Sequence, residues 1–339
     1  MRVLPAEWEP QSGVQLTWPD RYTDWSDILE EVISVYQLVA KTIAKREKLL
    51  IVCRDKELVV PYLKDVNWEN VIFRECEIND TWARDHGAIT VLEDGQPTLC
   101  DFKFNGWGLK FAADKDNLIT SKLYESGVFS VQTNYQNLLN RVLEGGGIES
   151  DGQGTILTTS ECLLSPNRNG QWSQSEIEEC LKVTLGADRI LWVNNGYLVG
   201  DDTDSHIDTL ARLVSPKTIL YVKCEDEIDE HFKSLQCMEN DLRAFRTKAG
   251  DPYQLVALPM ADPVYDGEDR LPATYANFLI INSAVLVPTY GSEKDRIAMD
   301  IIQEVFPDRE VIGINCLPLI KQHGSLHCIT MQFPEGVLL

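Results

Sequence analysis

Apolar and polar positions along the chain follow one order that recurs. Two short strand-like runs come first, then a polar stretch, an amphipathic helix and one more strand-like run. One regular copy has a turn at Asp151-Gly152 and a strand at Thr155–Thr159. A helix at Gln174–Leu185 follows, ends at Gly186 and leads to a strand at Arg189–Val193. The pattern predicts a repeated α/β unit.

Three further copies of this unit are predicted from the same periodicity. The one before the regular copy has strands Ala88–Leu92 and Pro97–Phe102 around Asp94-Gly95, helix Asn117–Glu125 ending at Gly127, and strand Val128–Val131. The next has strands Tyr197–Val199, His206–Val214 and Ile219–Val222 and a helix at Glu227–Arg246. The last has strands Asn277–Ile281 and Ala284–Pro288 around Asn282-Ser283, helix Glu293–Val305 and strand Glu310–Ile314.

A fifth unit is predicted from both ends of the chain. Its C-terminal part is a strand at Ser325–Gln332, and its N-terminal part is strand Val14–Trp18, helix Asp27–Lys45 with Ser26 as its cap, and strand Lys48–Cys53. Such a unit closes a ring and removes exposed strand edges, as in propellers. We therefore expect a single domain over residues 1–339, a five-unit α/β propeller with pseudo-fivefold symmetry. An ordinary α/β sandwich with irregular insertions is the alternative.

The amino-acid composition limits the classes of molecule that the protein is expected to bind. The 339 residues include 31 Lys and Arg against 53 Asp and Glu, a net charge of −22, which leaves no basic surface for nucleic acid and suits a small cationic substrate. No apolar run has the length of a signal peptide or a membrane span. The nine cysteines include no CxxC pair and fit a reducing compartment. We expect a soluble cytoplasmic protein without a membrane partner, and a homo-oligomer stays open.

Polar residues in glycine-marked segments at equivalent places of the units are the candidates for chemistry. These segments are 79–87, 144–148, 201–208 and 324–332, and in a ring they would face one central pocket. Cys328 lies in the last of them and is either a buried structural thiol or a nucleophile. His206 is the best base for it, because Asp208 two residues later would share its face of a strand.

A thiol and an imidazole among carboxylates suit a cationic electrophile better than an acyl group, whose transition state needs oxyanion donors. A guanidinium is planar and permanently charged, and two carboxylates can hold its N–H groups. Asp85 and Asp208 fit that task, and Trp82 is either a core residue or a ring that stacks on the cation. The carboxylates alone would raise the pKa of the Cys328 thiol, so we expect the arriving cation to favour the thiolate.

Two other interpretations of these segments were weighed. His323, His327 and Cys328 could ligate a metal, although their spacing suits a helix and the segment is predicted as a strand. The run Glu144-Gly145-Gly146-Gly147 resembles a phosphate loop but lacks the Lys-Ser/Thr end. Flexible backbone beside a buried carboxylate explains it better.

Motifs along nearly the whole chain resemble those of the agmatine deiminases and the Porphyromonas-type peptidylarginine deiminases, one family of the pentein, or guanidine-modifying, superfamily. The matching segments are Met1–Pro10, Asn79–Asp85, Glu144–Gly146, Thr203–Asp208, Leu271–Phe278 and His327–Thr330. The resemblance implies the five-unit propeller already expected from periodicity, and no cofactor or metal.

The same resemblance implies roles for individual residues. Cys328 would be the nucleophile that forms a covalent thiouronium, His206 the general acid and base, and Glu144 the partner of His206. Asp85 and Asp208 would hold the guanidinium. Three further residues would bind substrate: Trp82 and Asn277 by shaping the pocket, and Asp202 by facing the far amine of agmatine.

Two departures from the family pattern concern the substrate. Ser205 stands where close relatives of agmatine deiminase usually have Gly, and His86-Gly87-Ala88 stands where they have Thr-Gly-Pro. The acidic run Asp201–Asp204 favours a substrate with a distal amine. We expect hydrolysis of agmatine to N-carbamoylputrescine and ammonia, with a protein- or peptidyl-arginine deiminase as the alternative. A non-catalytic binding protein and an amidinotransferase are further alternatives.

Overall fold

A computed structural model describes all residues 1–339. Five sheets carry the fold, and each pairs two strands antiparallel and adds a third strand parallel to the second. In each case a helix leads into the parallel strand, as a parallel connection requires. The repeated unit predicted from periodicity is therefore present five times.

The sheets follow the order of the chain. The first holds Arg2–Val3, Ile89–Glu93, Gln96–Lys103 and Asn134–Val142; the second Ile148–Ser150, Thr155–Thr159 and Arg189–Val193; the third Ala211–Ser215, Thr218–Lys223 and Gln254–Pro259; the fourth Leu279–Ile281, Ala284–Thr289 and Glu310–Asn315. The fifth joins the two ends of the chain, with Thr330–Pro334, Gln11–Thr17, Lys48–Cys53 and Val71–Glu75. A separate hairpin pairs Val264–Asp266 with Asp269–Leu271.

One helix belongs to each unit. They are Leu29–Ala44, Ile119–Glu125, Gln174–Leu185, Phe232–Ala244 and Glu293–Val305. Helical turns lie at Lys56–Val59, Ala83–His86, Gly106–Leu109, Ser160–Leu163, Pro166–Asn169 and Leu317–Ile320, and 3-10 turns at Ser26–Ile28, Val60–Tyr62, Trp68–Asn70, Asp116–Leu118, Gly145–Gly147 and Ile207–Thr209. No helix has both the length and the apolar composition that a membrane crossing needs.

The regular second unit matches its prediction because its signals are local. Ser173 and Glu176 form a capping box at the start of helix Gln174–Leu185, and Gly186 ends it with a φ of +72°. The apolar residues of the units pack into buried clusters, the largest of which holds 64 residues and includes Cys328. The C-terminal segment around Cys328 is therefore anchored in the main core.

Five local predictions were wrong. Residues 128–131 form no strand, because the buried Phe129 makes only a single bridge to Leu338 and ladder pairing begins at Asn134. Ser26 caps nothing, since it lies inside a 3-10 turn. Residues 197–199 are not a strand, and the stretch 206–214 begins with the 3-10 turn Ile207–Thr209 before strand Ala211–Ser215. The C-terminal strand starts at Thr330, so Cys328 lies in the turn that precedes it.

Candidate active site

A cavity of about 240 Å³ contains Cys328 in its wall. Its lining consists of Asp24, Asn79, Asp80, Trp82, Asp85, Phe104, Trp107, Phe111, Ala112, Asp116, Asp202, Thr203, Gln322, His323, Gly324 and Cys328. Five of these side chains are aspartates, and none is a lysine or an arginine. Such a lining favours a cation with an aromatic or aliphatic body.

The Cys328 thiol is nearly buried and is held by Asn277. The Asn277 side-chain oxygen accepts a hydrogen bond from the His327 amide at 2.9 Å and lies 3.4 Å from both the amide and the Sγ of Cys328. Burial raises the pKa of the Cys328 thiol well above its usual value, and Asp208 and Asp85 raise it further. The resting residue is thus a thiol, in the direction expected from the sequence. Asn277, expected to shape the pocket, contacts the sulfur itself.

Asp85 lies in the helical turn Ala83–His86. This turn contacts the backbone at Cys328, because the Arg84 amide donates a hydrogen bond to the Cys328 carbonyl at 3.1 Å. Its two oxygens accept hydrogen bonds from Trp107 Nε1 at 2.9 Å and from the Gly146 amide at 3.1 Å. Burial raises its pKa well above the usual range, with further contributions from the charges of Asp208 and Glu144. The two hydrogen bonds fix the carboxyl in place, and a cation bound beside it would stabilise its ionised form.

His206 and two carboxylates meet at Gly146. A Cβ built on Gly146 would stand 2.6 Å from His206 Nδ1, 3.0 Å from Asp85 Oδ1 and 3.1 Å from Asp208 Oδ2. Only glycine leaves room for these three side chains, which explains the glycine run after Glu144. The geometric reason given for the His206–Asp208 pair was wrong, because His206 precedes the 3-10 turn Ile207–Thr209, Asp208 lies within it, and neither is on a strand. The turn nevertheless brings both to Asp85.

The His206 ring is free to act on a proton. Neither ring nitrogen has a hydrogen-bond partner, and the nearest carboxylate oxygen is Asp85 Oδ1, 3.7 Å from Nδ1. Burial lowers the pKa of His206 to about 3, even though the charge of Asp208 acts in the opposite direction. The imidazole is therefore neutral at rest and can accept a proton.

Asp208 is fully buried and presents one open oxygen. Its Oδ2 contacts His327 Nδ1 at 2.7 Å, whereas its Oδ1 has no partner. Burial raises the pKa of Asp208, but the hydrogen bond and charge of His327 outweigh burial and lower it. Asp208 is an ionised carboxylate beside Asp85, and its open oxygen can accept from a guanidinium N–H.

Glu144 is buried near His206 but bonded elsewhere. Its carboxylate oxygens accept from Arg168 Nε at 3.0 and 2.9 Å. A carboxylate oxygen of Glu144 lies within 4.8 Å of a ring nitrogen of His206 and of the Cys162 sulfur. It makes no hydrogen bond to the His206 ring. Arg168 also donates to Asp204 and to the Thr203 carbonyl, and so ties Glu144 to the loop before His206.

The two remaining predicted residues line the cavity wall. Trp82 donates its indole N–H to Asp80 at 2.9 Å, and its ring packs so closely on Gly324 that a Cβ there would lie 2.1 Å from the ring. Asp202 faces the cavity, while its backbone carbonyl accepts from Lys110 Nζ at 2.6 Å. The indole face and this carboxylate are both available to a substrate in the cavity.

The metal interpretation finds no support in the geometry. Both ring nitrogens of His327 contact carboxylates, and His323 Nδ1 lies 2.7 Å from the Gly200 carbonyl. The groups of three potential metal ligands that converge are Glu144, Cys162 and His206, and Glu7, Glu149 and His327. An arginine, Arg168 or Arg212, is bonded within each of them. Such a built-in cation disfavours a metal ion in either group.

Sequence reasoning missed Trp107, Arg168 and the ring contacts of His327. Trp107 has a φ of +53° between Gly106 and Gly108, so the Gly-Trp-Gly sequence was the one available signal for a strained turn that aims a ring at a ligand. Arg168 follows Pro166-Asn167, which is typical of an exposed loop, and gave no signal. His327 was considered only as a metal ligand.

Comparison with known proteins places these residues in a family context. The sequence profile of the Porphyromonas-type peptidyl-arginine deiminase family matches residues 3–334. An agmatine deiminase from Pseudomonas aeruginosa (strain LESB58) is 33% identical over 355 residues, which cover 98% of this chain and 95% of that protein.

Solved structures give the same grouping. A candidate arginine deiminase from Porphyromonas gingivalis superimposes with a TM-score of 0.97 at 53% identity, covering 100% of both chains. A Cys-to-Ser variant of C. jejuni agmatine deiminase with substrate bound superimposes with a TM-score of 0.92 at 38% identity, covering 99% of this chain and 97% of the other. An amidinotransferase from Microseira wollei, at 12% identity and a TM-score of 0.55, covers 99% and 98% and shares the fold.

Proposed function

The chain belongs to the Porphyromonas-type peptidyl-arginine deiminase family, and we propose that it hydrolyses agmatine to N-carbamoylputrescine and ammonia. One observation carries the proposal. Cys328 and Asp85 line one cavity that contains five aspartates and no lysine or arginine. The related C. jejuni agmatine deiminase was solved with substrate bound as a Cys-to-Ser variant, which supports a cysteine nucleophile.

Binding of the guanidinium would activate the nucleophile. The open Oδ1 of Asp208 and the carboxyl of Asp85 accept its N–H groups, and the ring of Trp82 lies along the cavity. The cation offsets the two negative charges that hold the pKa of Cys328 high. Cys328 then gives its proton to the neutral imidazole of His206, and the thiolate forms within reach of the guanidinium carbon.

Deimination follows in two balanced halves. The Sγ–C bond forms, His206 passes its proton to the departing nitrogen, and the C–N bond breaks to release ammonia and leave a thiouronium on Cys328. Water then attacks the same carbon while His206 accepts its proton. The C–S bond breaks and the proton on His206 returns to the sulfur. The remaining hydroxyl proton leaves as the ureido C=O forms, and it converts the released ammonia to ammonium. Water supplies the oxygen, and no oxidant or cofactor is needed.

Glu144 would act on His206 through charge. Its position within 4.8 Å of the ring supports stabilisation of the imidazolium that forms during proton transfer. Arg168 limits this effect, because it already neutralises the carboxylate. Asn277 would release the sulfur as the thiol ionises, since its oxygen can accept but cannot donate a hydrogen bond.

The far end of the cavity favours a distal amine over an α-carboxylate. Asp202, Asp24, Asp80 and Asp116 line the cavity, and no lysine or arginine is there to pair with the carboxylate of free arginine. We assign Asp202 to the amine of agmatine, as the sequence predicts. A peptide-borne arginine lacks both groups and remains the alternative substrate.

The remaining features of the proposal concern the whole chain. Five sheets of one topology, the fifth of which pairs Thr330–Pro334 with Gln11–Thr17, support a closed five-unit propeller in which residues 1–339 form one catalytic domain. The distant fold likeness to an amidinotransferase agrees with that architecture. We propose a cytoplasmic enzyme that acts on a small guanidino substrate without nucleic acid or membrane partners, consistent with its net charge of −22.

The test compares three substrates: agmatine, arginine and a blocked arginine peptide. Ammonia and the ureido product are measured with the wild type, with Cys328→Ala and with Cys237→Ala, whose cysteine is exposed. We expect turnover of agmatine, none with Cys328→Ala and normal turnover with Cys237→Ala. Turnover of the peptide alone would identify a peptidylarginine deiminase, and turnover of none would identify a binding protein.

Asp202→Asn tests the amine assignment. Binding to the amine is the same in the ground and transition states, so KM for agmatine should rise about tenfold while kcat stays within about twofold. Asp27→Asn, at an exposed position outside the cavity, is the matched control. An unchanged KM in Asp202→Asn would remove this residue from the specificity site.

A further inference from the structure

His327, the residue before the nucleophile, is clamped between two carboxylates. Its Nδ1 lies 2.7 Å from Asp208 Oδ2, and its Nε2 lies 2.7 Å from Glu7 Oε2. The ring is 1% exposed, and both carboxylates are buried. Glu7 reaches the ring from 320 positions away in the sequence, so the N-terminal segment takes part in the site.

These contacts determine the protons on the ring. A neutral imidazole has a single N–H and could donate to one carboxylate only, whereas an imidazolium donates to both. Glu7 is ionised, because it also accepts from Arg212 Nη2 at 2.9 Å and from the Ile280 amide at 2.7 Å. Burial raises the pKa of Glu7, but the charges of His327, Arg212 and Arg84 outweigh burial and lower it. A lone pair facing an ionised oxygen at 2.7 Å would be strongly repulsive.

When its three facing carboxylates are all ionised, the charges around the ring balance only with a charged histidine. Arg212 bridges Glu7 to Glu149, whose Oε1 it contacts at 2.5 Å, and Arg84 lies 3.9 Å from Glu7. Glu149 also accepts from the Leu213 amide at 3.0 Å. The facing groups are the three carboxylates of Asp208, Glu7 and Glu149 and the two guanidinium groups of Arg212 and Arg84. An imidazolium is the third cation that a buried, compensated cluster requires.

We propose that His327 is an imidazolium whose Nδ1–H holds Asp208 Oδ2 and leaves Asp208 Oδ1 unpartnered for the substrate. His327 is thus a positioning residue that acts on the reaction through Asp208. Asp85 has no such cation and gains one only from the substrate. The effect of His327 on substrate binding rests on the proposed function. The charge of its ring is independent of that function.

The charge is tested directly by nitrogen NMR of protein labelled with ¹⁵N-histidine. The chain has five histidines, and the spectrum of His327→Gln identifies the signals of His327. We expect both ring nitrogens to carry a proton at pH 8. A neutral ring at that pH, with Nε2 accepting from Arg212 at 3.1 Å, would overturn the inference whether or not the protein is an agmatine deiminase.

Two variants test the positioning role. Asn places its amide nitrogen near the Nδ1 position and Gln near the Nε2 position, so His327→Asn keeps a donor to Asp208 and His327→Gln loses it. Calorimetry measures agmatine binding by each variant in a Cys328→Ala background. We expect binding to weaken roughly 30-fold or more with His327→Gln and clearly less with His327→Asn.

Kinetics in the active protein separate the two hypotheses. KM for agmatine should rise in the same order as the dissociation constants, with kcat less affected. The positioning role would be overturned if both variants bound agmatine as tightly as the Cys328→Ala protein that retains His327. A wild type that turns over no guanidino substrate would refute the proposed function, while the NMR result would still decide the charge of the ring. Circular dichroism of both variants checks that they fold.

Discussion

Arg168 holds Glu144 through a single nitrogen that lies 3.0 and 2.9 Å from the two carboxylate oxygens, and neither side chain has exposed surface. Burial raises the pKa of Glu144, while Arg168 acts against it. The carboxylate that the family resemblance assigns to His206 is therefore primarily half of a buried ion pair. Any effect of Glu144 on the imidazole depends on this arginine.

Arg168→Met should destabilise the fold because it leaves Glu144 as an uncompensated buried charge. The free energy of unfolding is expected to fall by about 3 kcal/mol, measured by urea denaturation at pH 7.5. The double variant Arg168→Met/Glu144→Gln should recover much of that loss, since no charge remains to be compensated. Equal stability of Arg168→Met and wild type would show that the pair contributes nothing.

Sequence reasoning succeeded where short-range signals decide the structure. The helix of the second unit was predicted to end at Gly186, and the structure adds a capping box at its other end, so both signals lie within one helix. It failed at residues 206–209, where alternation suggested a strand. There Asp201 bonds the Thr203 and Ser205 amides and Thr203 Oγ1 accepts from the His206 amide, which turns the chain before the sheet begins. Side-chain bonds of this kind compete with strand pairing and leave no periodic trace.

The candidate site shows the same division. Cys328, His206, Asp85 and Asp208 were proposed because reactive residue types stood in glycine-marked segments. Their orienting partners lie far away in the sequence, as Trp107 does from Asp85 and Glu7 from His327. A pair 320 positions apart has no local signal, so only the fold identifies the groups that set charge and direction.

Ser205→Gly should be tolerated. Ser205 has a φ of +63° and is 5% exposed, and glycine, which the family resemblance leads one to expect there, adopts this conformation freely. Relief of strain and the greater freedom of the unfolded chain oppose each other, so stability should change by no more than about 1 kcal/mol. We expect kcat/KM for agmatine within about threefold of wild type.

Ser205→Val provides the contrast, because a β-branched residue is strained at positive φ. Ser283 has a φ of +64° in the turn between strands Leu279–Ile281 and Ala284–Thr289 and serves as the matched site. Both valine variants should unfold at lower urea concentration, but only Ser205→Val should lower kcat/KM. A loss of activity with Ser205→Gly would contradict this account of the departure.

The charge of an electrophile should control the reactivity of Cys328. Because burial, Asp208 and Asp85 keep its pKa high, neutral iodoacetamide should inactivate slowly at pH 7.5. A cationic haloacetamidine supplies the missing positive charge and should inactivate at least about tenfold faster, after correction for the reactivity of each reagent with a free thiol. Asp85→Asn should reduce that preference. Equal corrected rates for the two reagents would refute substrate-assisted ionisation.

Asp80 should make the stability of the fold depend on pH. Burial raises its pKa from 3.8 to about 7, with Asp24 and Asp116 adding to the shift. Below pH 4 the carboxyl is protonated in both the folded and unfolded states. Between pH 4 and 7 the carboxyl has lost its proton in the unfolded chain but still holds it in the folded chain. The free energy of unfolding therefore falls as pH rises through this range, and the loss is complete above pH 7. Asp80→Asn cannot ionise and should escape that loss.

The difference in unfolding free energy between Asp80→Asn and wild type should therefore grow in favour of the variant from pH 4.5 to 8. We expect an increase of about 2 kcal/mol, less than the full shift implies because the residue is only partly enclosed. Urea denaturation at half-unit pH steps measures it, and Asp27→Asn, at an exposed position, should show no such trend. A difference that is constant with pH would mean that Asp80 is already ionised in the folded enzyme at pH 4.5, with the cavity wall fully negative before any substrate arrives.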